Sequence, residues 1–141
     1  MAKWSLDLKK YANKNKVKIN EIRRNFAFLL YSSIVKKTPV DTGRARGNWN
    51  ISIGKDDLSV THDKKVKFKT KQEVPLATKD ESIYIVNNID YITKLEYGGY
   101  PNPAKTGNKT VNGYSKKAPN GMVGVTLANV EKFFDQATKE S

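Results

Sequence analysis

The longest periodic run of apolar residues lies between residues 19 and 37 and predicts an amphipathic helix. Its apolar stripe contains Ile19, Ile22, Phe26, Leu29, Leu30, Ile34 and Val35, and its polar side contains Arg23, Arg24 and Asn25. Asn20 suits the N-cap position, and Lys37 suits the negative end of the helix dipole. Pro39 disfavours helical backbone in the residue before it. We therefore predict a helix over about residues 20–37.

Alternation between apolar and polar residues predicts β-strands after this helix. The first strand, about 47–54, has its apolar positions at Trp49, Ile51 and Ile53. A turn at 54–57 then leads into a short return strand at 58–61, which completes a hairpin. Residues 82–88 are rich in β-branched and aromatic side chains and predict a further strand.

Weaker patterns predict the remaining elements. Helical spacing of apolar residues predicts short helices at about 5–12 and 90–97, and a longer C-terminal helix at about 119–139. The segment 98–118 is dense in Gly, Pro, Asn and Ser and predicts a loop. The segment 62–81 is interpreted as a basic loop or an extended hairpin arm.

These elements predict one α+β domain over residues 1–141. A small antiparallel β-sheet packs against the long helix of the N-terminal half and against the C-terminal helix, with long basic and Gly/Pro-rich loops between elements. The helices and the sheet each have one apolar face, so packing them on each other is the economical way to bury those faces.

Charge is distributed unevenly along the chain. The net charge is +12, and residues 1–80 contain 19 Lys or Arg against 8 Asp or Glu, whereas residues 81–141 contain 7 against 6. Such a field favours polyanionic partners: nucleic acid, an anionic membrane or an acidic protein face. The chain has no cysteine, no apolar run long enough to span a membrane and no secretory h-region at its start, so we expect it to be made in cytoplasm.

Little in the sequence indicates catalysis. His62 is the sole histidine and is followed by Asp63 in a polar segment, where a solvated turn is the expected structure. The sequence contains no nucleophile elbow, no phosphate-binding loop and no set of metal-ligating residues. We therefore expect no enzyme activity, no cofactor and no metal.

The stretch TPVDTGRARGNW, residues 38–49, contains the most distinctive local pattern. Its first part predicts a tight structural turn made by Pro39, Asp41, Thr42 and Gly43. Arg44 and Arg46 are then expected to point to one side where the strand begins, available for salt bridges within or between subunits. An anion site at these arginines is the alternative interpretation.

A lysine-rich arm follows the predicted hairpin and contains Lys64, Lys65, Lys67, Lys69 and Lys71. Three interpretations remain open for it. The arm binds nucleic acid through its phosphates, with Phe68 stacking on a base. Alternatively, it is an exposed hairpin whose lysines keep an edge strand unpaired. In the third interpretation, it docks on an acidic neighbour.

The order of these motifs resembles the tail-completion or neck (minor tail) proteins of long-tailed bacteriophages, the family of lambda protein Z. The residues that carry the resemblance are Thr38, Pro39, Val40, Asp41, Thr42, Gly43, Arg44, Arg46 and Trp49, then Asn87, Tyr91, Glu96, Tyr97 and Gly98, then Ala118, Pro119, Gly121 and Met122. Ala45 departs from the family pattern, which has a larger apolar residue there, and the basic segment at 64–79 is longer than usual.

The resemblance implies a structural virion protein that completes the head-proximal end of the tail or neck and enables head–tail joining. It implies a homo-oligomeric ring, with a hexamer favoured, and contacts with neighbouring neck, tail-terminator and tail-tube proteins. Arg44, Arg46, Glu96 and Tyr97 become candidate intersubunit contacts, and non-specific contact with channel DNA is a further expectation. The protein would lie in the virion, and in host cytoplasm during assembly. The alternative function is a basic nucleic-acid-binding module without catalytic activity.

Overall fold

A computed structural model describes residues 2–4, 19–40, 44–62, 68–77, 81–102, 107 and 109–140. The short helix predicted at about 5–12 lies outside these residues. The chain has an α+β fold, as predicted from the sequence.

The elements follow one another along the chain as β1 (Ala2–Trp4), α1 (Ile19–Lys37), α2 (Arg44–Gly47), β2 (Trp49–Ile53), a 3₁₀ turn (Lys71–Glu73), β3 (Ile83–Asn87), α3 (Ile92–Tyr97), β4 (Thr110–Val111), β5 (Tyr114–Ser115), α4 (Val123–Ala128) and α5 (Val130–Lys139). The main sheet is antiparallel with strand order β1-β3-β2, and β4 and β5 form a separate hairpin. Helix α1 corresponds to the predicted long helix, and α3 corresponds to the short helix predicted at about 90–97. Strands β2 and β3 correspond to the strands predicted at about 47–54 and 82–88.

Helix α1 is the centre of the fold because it is covered on two sides. Tyr31 and Ile34 belong to the main apolar core with the sheet residues Trp49 and Ile51. A second cluster joins α1 to α5, where the rings of Phe26 and Phe134 meet edge to face at 5.6 Å. The buried surface of α1 is wider than the single apolar stripe predicted from the sequence. Asn25, which was placed on the polar side, is only 3% exposed.

The prediction of a return strand at 58–61 is wrong, because this segment makes no ladder of backbone hydrogen bonds with β2. The side-chain amide of Asn50 donates a hydrogen bond to the carbonyl of Ser59 at 2.9 Å. Asn48 donates to the carbonyl of Thr61 at 2.9 Å and accepts from its amide at 2.7 Å. The side chains of Asn48, just before β2, and of Asn50, within it, therefore hold this segment, while the β2 backbone pairs with β3.

The predicted helix at 119–139 is in fact two helices with a later start. A turn closed by a hydrogen bond from the Gly121 amide to the Ala118 carbonyl, at 3.1 Å, precedes α4. Asn129 (φ −109°, ψ 22°) separates α4 from α5, and its side-chain amide donates to the Val125 carbonyl at 3.1 Å. An asparagine that bonds to a carbonyl four residues earlier competes with the helical backbone, so the break falls there.

The predicted loop at 98–118 contains the β4–β5 hairpin. Its turn residues Asn112 and Gly113 have φ of 51° and 85°, the left-handed pair that a two-residue type I′ turn needs. The amides of Gly99 and Tyr100 both donate to the Gly113 carbonyl at 3.0 Å. The hairpin tip is therefore attached to the chain that leaves α3.

Candidate interaction site at the helix-to-sheet joint

The end of α1 with the residues that follow it, helix α2 and the start of β2 form one hydrogen-bonded unit, called here the joint (residues 36–40 and 44–49). Arg46 donates from Nε and Nη2 to the carbonyl of Thr38, at 3.2 and 2.9 Å. Its Nη2 also donates to the carbonyl of Lys36 at 3.1 Å. Carbonyls at a helix C-terminus lack intrahelical partners and carry partial negative charge. The guanidinium of Arg46 therefore caps α1.

Thr38 links this cap to the sheet. Its hydroxyl donates to the Ile34 carbonyl at 2.7 Å and accepts from the Trp49 indole N–H at 2.9 Å. Thr38 and Trp49 are 1% and 4% exposed, so an unpaired indole N–H here would be costly. One buried hydroxyl thus fixes the angle at which the chain passes from helix to strand.

Helix α2 was not predicted, and β2 begins two residues later than the predicted strand. Because α2 has only four residues, its carbonyls lack hydrogen-bond partners within the helix. The side chains of two buried asparagines supply donors to two of these carbonyls. Asn48 Nδ2 donates to the Arg44 carbonyl at 2.7 Å, and Asn87 Nδ2 donates to the Ala45 carbonyl at 2.8 Å. Asn87 is completely buried, so this bond ties α2 to the central strand β3. Sequence reasoning missed the role of both asparagines.

The structure bears only partly on the predicted turn. Pro39, which belongs to the joint, is buried, whereas Asp41, Thr42 and Gly43 lie outside the described residues. The expectation that Arg44 and Arg46 point to one side is wrong, because both belong to a helical segment in which residues two apart diverge.

Arg44 lies at the surface of the joint. Its Nη1 is 3.4 Å from Asp90 Oδ1, and its guanidinium carbon is 5.6 Å from the centroid of the Tyr91 ring. The Asp90 side chain is 80% exposed, and exposed ion pairs of this kind contribute little to stability. Arg44 is therefore held near Tyr91 while part of its side chain reaches solvent.

The two remaining candidate contacts differ in accessibility. Tyr97 is 63% exposed at the end of α3. Glu96 is 7% exposed: its Oε1 accepts the amides of Met122 and Val123, both at 2.8 Å, and its Oε2 accepts the Gly124 amide at 2.9 Å. The expectation of an intersubunit role for Glu96 does not fit this position, because its carboxylate caps α4 within the same chain.

The last part of the predicted basic arm is packed on the body of the protein. Val74 and Ala77 are each 1% exposed, and the described residues 68–77 contain no strand. Lys69 Nζ donates to the Ile51 carbonyl at 3.2 Å, and Lys71 Nζ lies 3.7 Å from Glu140 Oε2. The extended-hairpin interpretation is therefore wrong for 68–77. Lys64, Lys65 and Lys67 lie outside the described residues.

Two side chains away from the joint have shifted pKa values. Burial raises the pKa of the Tyr31 hydroxyl, and a hydrogen bond from the Lys69 amide at 3.4 Å opposes that shift. Hydrogen bonds from the Ser59 hydroxyl and amide, at 2.6 and 3.0 Å, lower the pKa of Asp57. Because this folded-state pKa is lowered, the resulting stabilisation is present above the unfolded pKa and is lost as pH falls through the folded one.

A cleft of about 190 Å³ lies beside the joint. Its lining includes residues from the joint (Pro39, Ala45), from α3 and its N-cap (Tyr91, Leu95) and from the β4–β5 hairpin (Thr110, Ser115). Three separate parts of the fold thus enclose it.

Within the residues that the structure describes, no three His, Cys, Asp or Glu side chains group together as a metal site would require. His62 is exposed. None of the described helices combines the length and apolar character needed to cross a membrane.

The chain was compared with known proteins by sequence family, by curated sequence and by structure. No family model, no curated protein and no solved structure matches it.

The cap on α1 leads to a stability prediction. Arg46→Met keeps most of the aliphatic stem but removes one hydrogen bond to the Lys36 carbonyl and two to the Thr38 carbonyl at the end of α1. We therefore expect a loss of about 1–2 kcal/mol in the free energy of unfolding. Urea denaturation followed by circular dichroism measures it. Lys132→Met, at an exposed position of α5, is the control and should change stability by less than about 0.5 kcal/mol. Equal effects of the two substitutions would contradict the capping role.

Proposed function

We propose that the chain is a structural subunit of a tailed bacteriophage particle, which completes the head-proximal end of the tail or neck. It would join the tail to the filled head as part of a homo-oligomeric ring. The observation that carries this proposal is the order of motifs along the sequence, above all TPVDTGRARGNW followed by the α3 and α4 segments.

The geometry of the joint supports an architectural role for that motif. The polar side chains of Thr38, Arg46 and Asn48 all bond to atoms of the same chain. Their chemistry is used to end a helix, start a strand and hold a short helix between them. Internal hydrogen bonds at these three positions of the motif are suited to a rigid scaffold for assembly.

Electrostatics suggests how such a subunit would meet its neighbours. The chain has a net charge of +12, most of it in the first 80 residues. A basic surface steers association with acidic protein faces and sets their register. Neighbouring ring, tail-terminator and tail-tube proteins with acidic faces are the partners that this proposal implies, and DNA in the channel is a further polyanion within its reach.

A basic nucleic-acid-binding module is the second candidate, and the same net charge favours it. The described lysines of the basic segment give it less support, because Lys69 and Lys71 already contact Ile51 and Glu140. Duplex binding with a steep salt dependence, together with no effect on particle assembly, would favour this candidate over the structural one.

Removal of the gene from the phage genome that encodes the chain tests the proposed function. We expect filled heads and free tails to accumulate separately in electron micrographs, with the titre of infectious particles reduced by orders of magnitude. A plasmid copy of the wild-type gene should restore joined particles. Normal joining without any copy would contradict the proposal.

Arg44 gives a residue-level prediction for assembly. Arg44→Ala removes an ion pair with the exposed Asp90 and a contact with the Tyr91 ring, and surface interactions of this kind contribute little, so the melting temperature should change little. If Arg44 contacts a neighbouring subunit, the variant should fold and yet fail to restore joined particles. Lys132→Ala, exposed on α5, is the matched control and should restore them. Full restoration by Arg44→Ala would exclude the contact.

A further inference from the structure

The cleft beside the joint has a mostly apolar lining that the proposed function does not use. Ala45 and Leu95, two of the residues that line it, are 5% and 4% exposed, and Pro39 is buried beside them. Tyr91 and Tyr100 add aromatic rings to the lining. An apolar recess of this kind at a protein surface is stabilised when another apolar group fills it.

The size of the cleft limits what fits. Its volume, about 190 Å³, is below the range of roughly 300–1,000 Å³ that is usual for small-molecule and cofactor sites. A cavity of about 150 Å³ accommodates benzene. One large apolar side chain, such as phenylalanine, therefore matches the space better than a cofactor does.

Three cations line the cleft or contact the aromatic rings that line it. Lys109 lines the cleft, Arg44 lies against the Tyr91 ring, and the Lys94 ammonium lies 5.7 Å from the centroid of the Tyr100 ring. Neither Lys94 nor Lys109 has an ion-pair partner in the part of the chain that the structure describes. The electrostatic complement of this rim is a segment with negative charge.

We propose that the cleft binds a phenylalanine-sized side chain carried on an acidic segment of a partner protein. The apolar part of the cleft takes the anchor residue, and Lys94 and Lys109 pair with carboxylates of the acidic segment. Such anchors, inserted in a pocket and surrounded by polar contacts, contribute most of the binding energy of many protein interfaces. This inference is independent of head–tail joining, since it concerns binding by the isolated chain.

The same features are less suited to nucleic acid. Single-stranded nucleic acid binds on aromatic faces that are open to successive bases. Here one face of the Tyr91 ring is near Arg44 and one face of the Tyr100 ring is near Lys94. The rings form walls of a recess and not a flat stacking platform.

A fluorescence anisotropy titration of the full chain tests the proposal. The probe is a short labelled peptide with one central phenylalanine flanked by glutamates, compared with the same peptide carrying alanine at the centre. We expect the phenylalanine peptide to bind about tenfold or more tightly than the alanine peptide. Equal binding of the two, or no binding of the phenylalanine peptide at about 1 mM, would overturn the proposal.

Charge reversal at the rim is the second arm of the experiment. Lys109→Glu should weaken binding of the phenylalanine peptide by about threefold or more, and Lys132→Glu, which makes the same charge change on exposed α5, should not. Equal weakening by both variants would show attraction by net charge alone and would contradict a defined site. Lys109 is exposed, so its substitution leaves the buried core intact.

Filling the cleft provides the third arm. Ala45→Leu places extra side-chain volume in the recess, so it should abolish the difference in affinity between the phenylalanine and alanine peptides. If Ala45→Leu does not fold, the Lys109→Glu result alone tests the site. Addition of an unlabelled single-stranded oligonucleotide distinguishes the other class of partner. Complete displacement of the peptide by the oligonucleotide, with equal affinity for the wild type and Ala45→Leu, would overturn the proposal in favour of nucleic acid.

Discussion

Gly121→Ala is expected to lower the free energy of unfolding by about 3–5 kcal/mol, enough to reduce the melting temperature by about 10 °C. A Cβ atom at this position would lie 2.5 Å from the carbonyl oxygen of Glu96. Gly121 also has φ of +79°, which disfavours any side chain. Since the obstructing atom belongs to the backbone, the clash can be relieved only by moving α3 away from the turn that leads into α4. Thermal and urea denaturation measure the effect.

The matched control is Gly54→Ala. Gly54 has the same φ of +79°, but the nearest contact of an added Cβ is Glu81 Oε2 at 3.3 Å, the end of a flexible side chain. This substitution should therefore cost only about 1–2 kcal/mol, the cost of a left-handed conformation. If Gly54→Ala and Gly121→Ala destabilise equally, the close approach of the two backbones contributes nothing.

Glu96→Gln is expected to cost about 2–4 kcal/mol although it preserves the shape of the side chain. The carboxylate accepts three amide hydrogen bonds at the start of α4, two on Oε1 and one on Oε2. A glutamine keeps one acceptor oxygen and turns an NH₂ group toward the remaining N–H donor. The variant also removes a negative charge from the positive end of a helix. Urea denaturation should show a lower midpoint with an unchanged slope.

Glu131→Gln is the control for this substitution. Glu131 is exposed in the first turn of α5, so it also lies at a helix N-terminus, but its carboxylate is not buried. Its replacement should cost no more than about 0.5 kcal/mol. Similar losses for the two variants would mean that the helix dipole explains the effect and that the three hydrogen bonds do not.

Local pattern was sufficient to predict the elements with the strongest periodicity. Helix α1 has its boundaries within a residue of those expected, because a long apolar stripe, a basic last turn and Pro39 agree with one another. Strands β2 and β3 were predicted from alternation and β-branched content. The β4–β5 hairpin was missed although Asn112-Gly113 is a strong local signal for a two-residue turn.

The wrong predictions have long-range or competing causes. Residues 58–61 have strand-like composition, but Asn48 and Asn50 bond to their backbone with side chains in place of a ladder. The break between α4 and α5 comes from Asn129, whose side chain competes with helical hydrogen bonds. The spacing of apolar residues predicts neither the missing strand nor the helix break. For the helix, that spacing is the same whether or not the helix is interrupted.

The roles of the site residues depended on contacts between distant parts of the chain. Arg46 and Glu96 were predicted to meet neighbouring subunits, yet each binds one end of a helix in its own chain. A sequence signal existed for Glu96: α4 begins after Met122, which has no side chain suited to capping. Such a helix start requires an acceptor from elsewhere in the fold, but the sequence does not identify which residue supplies it.

The most direct test of the proposed function is whether the chain is found in a phage particle, and at which position. Immunogold labelling of intact particles, with antibody raised against the purified chain, followed by negative-stain electron microscopy, measures it. The proposal predicts gold at the junction of head and tail, and at the head-proximal end of tails that have not yet joined. Particles without gold at either place, made while the chain is present in the same lysate, would contradict it.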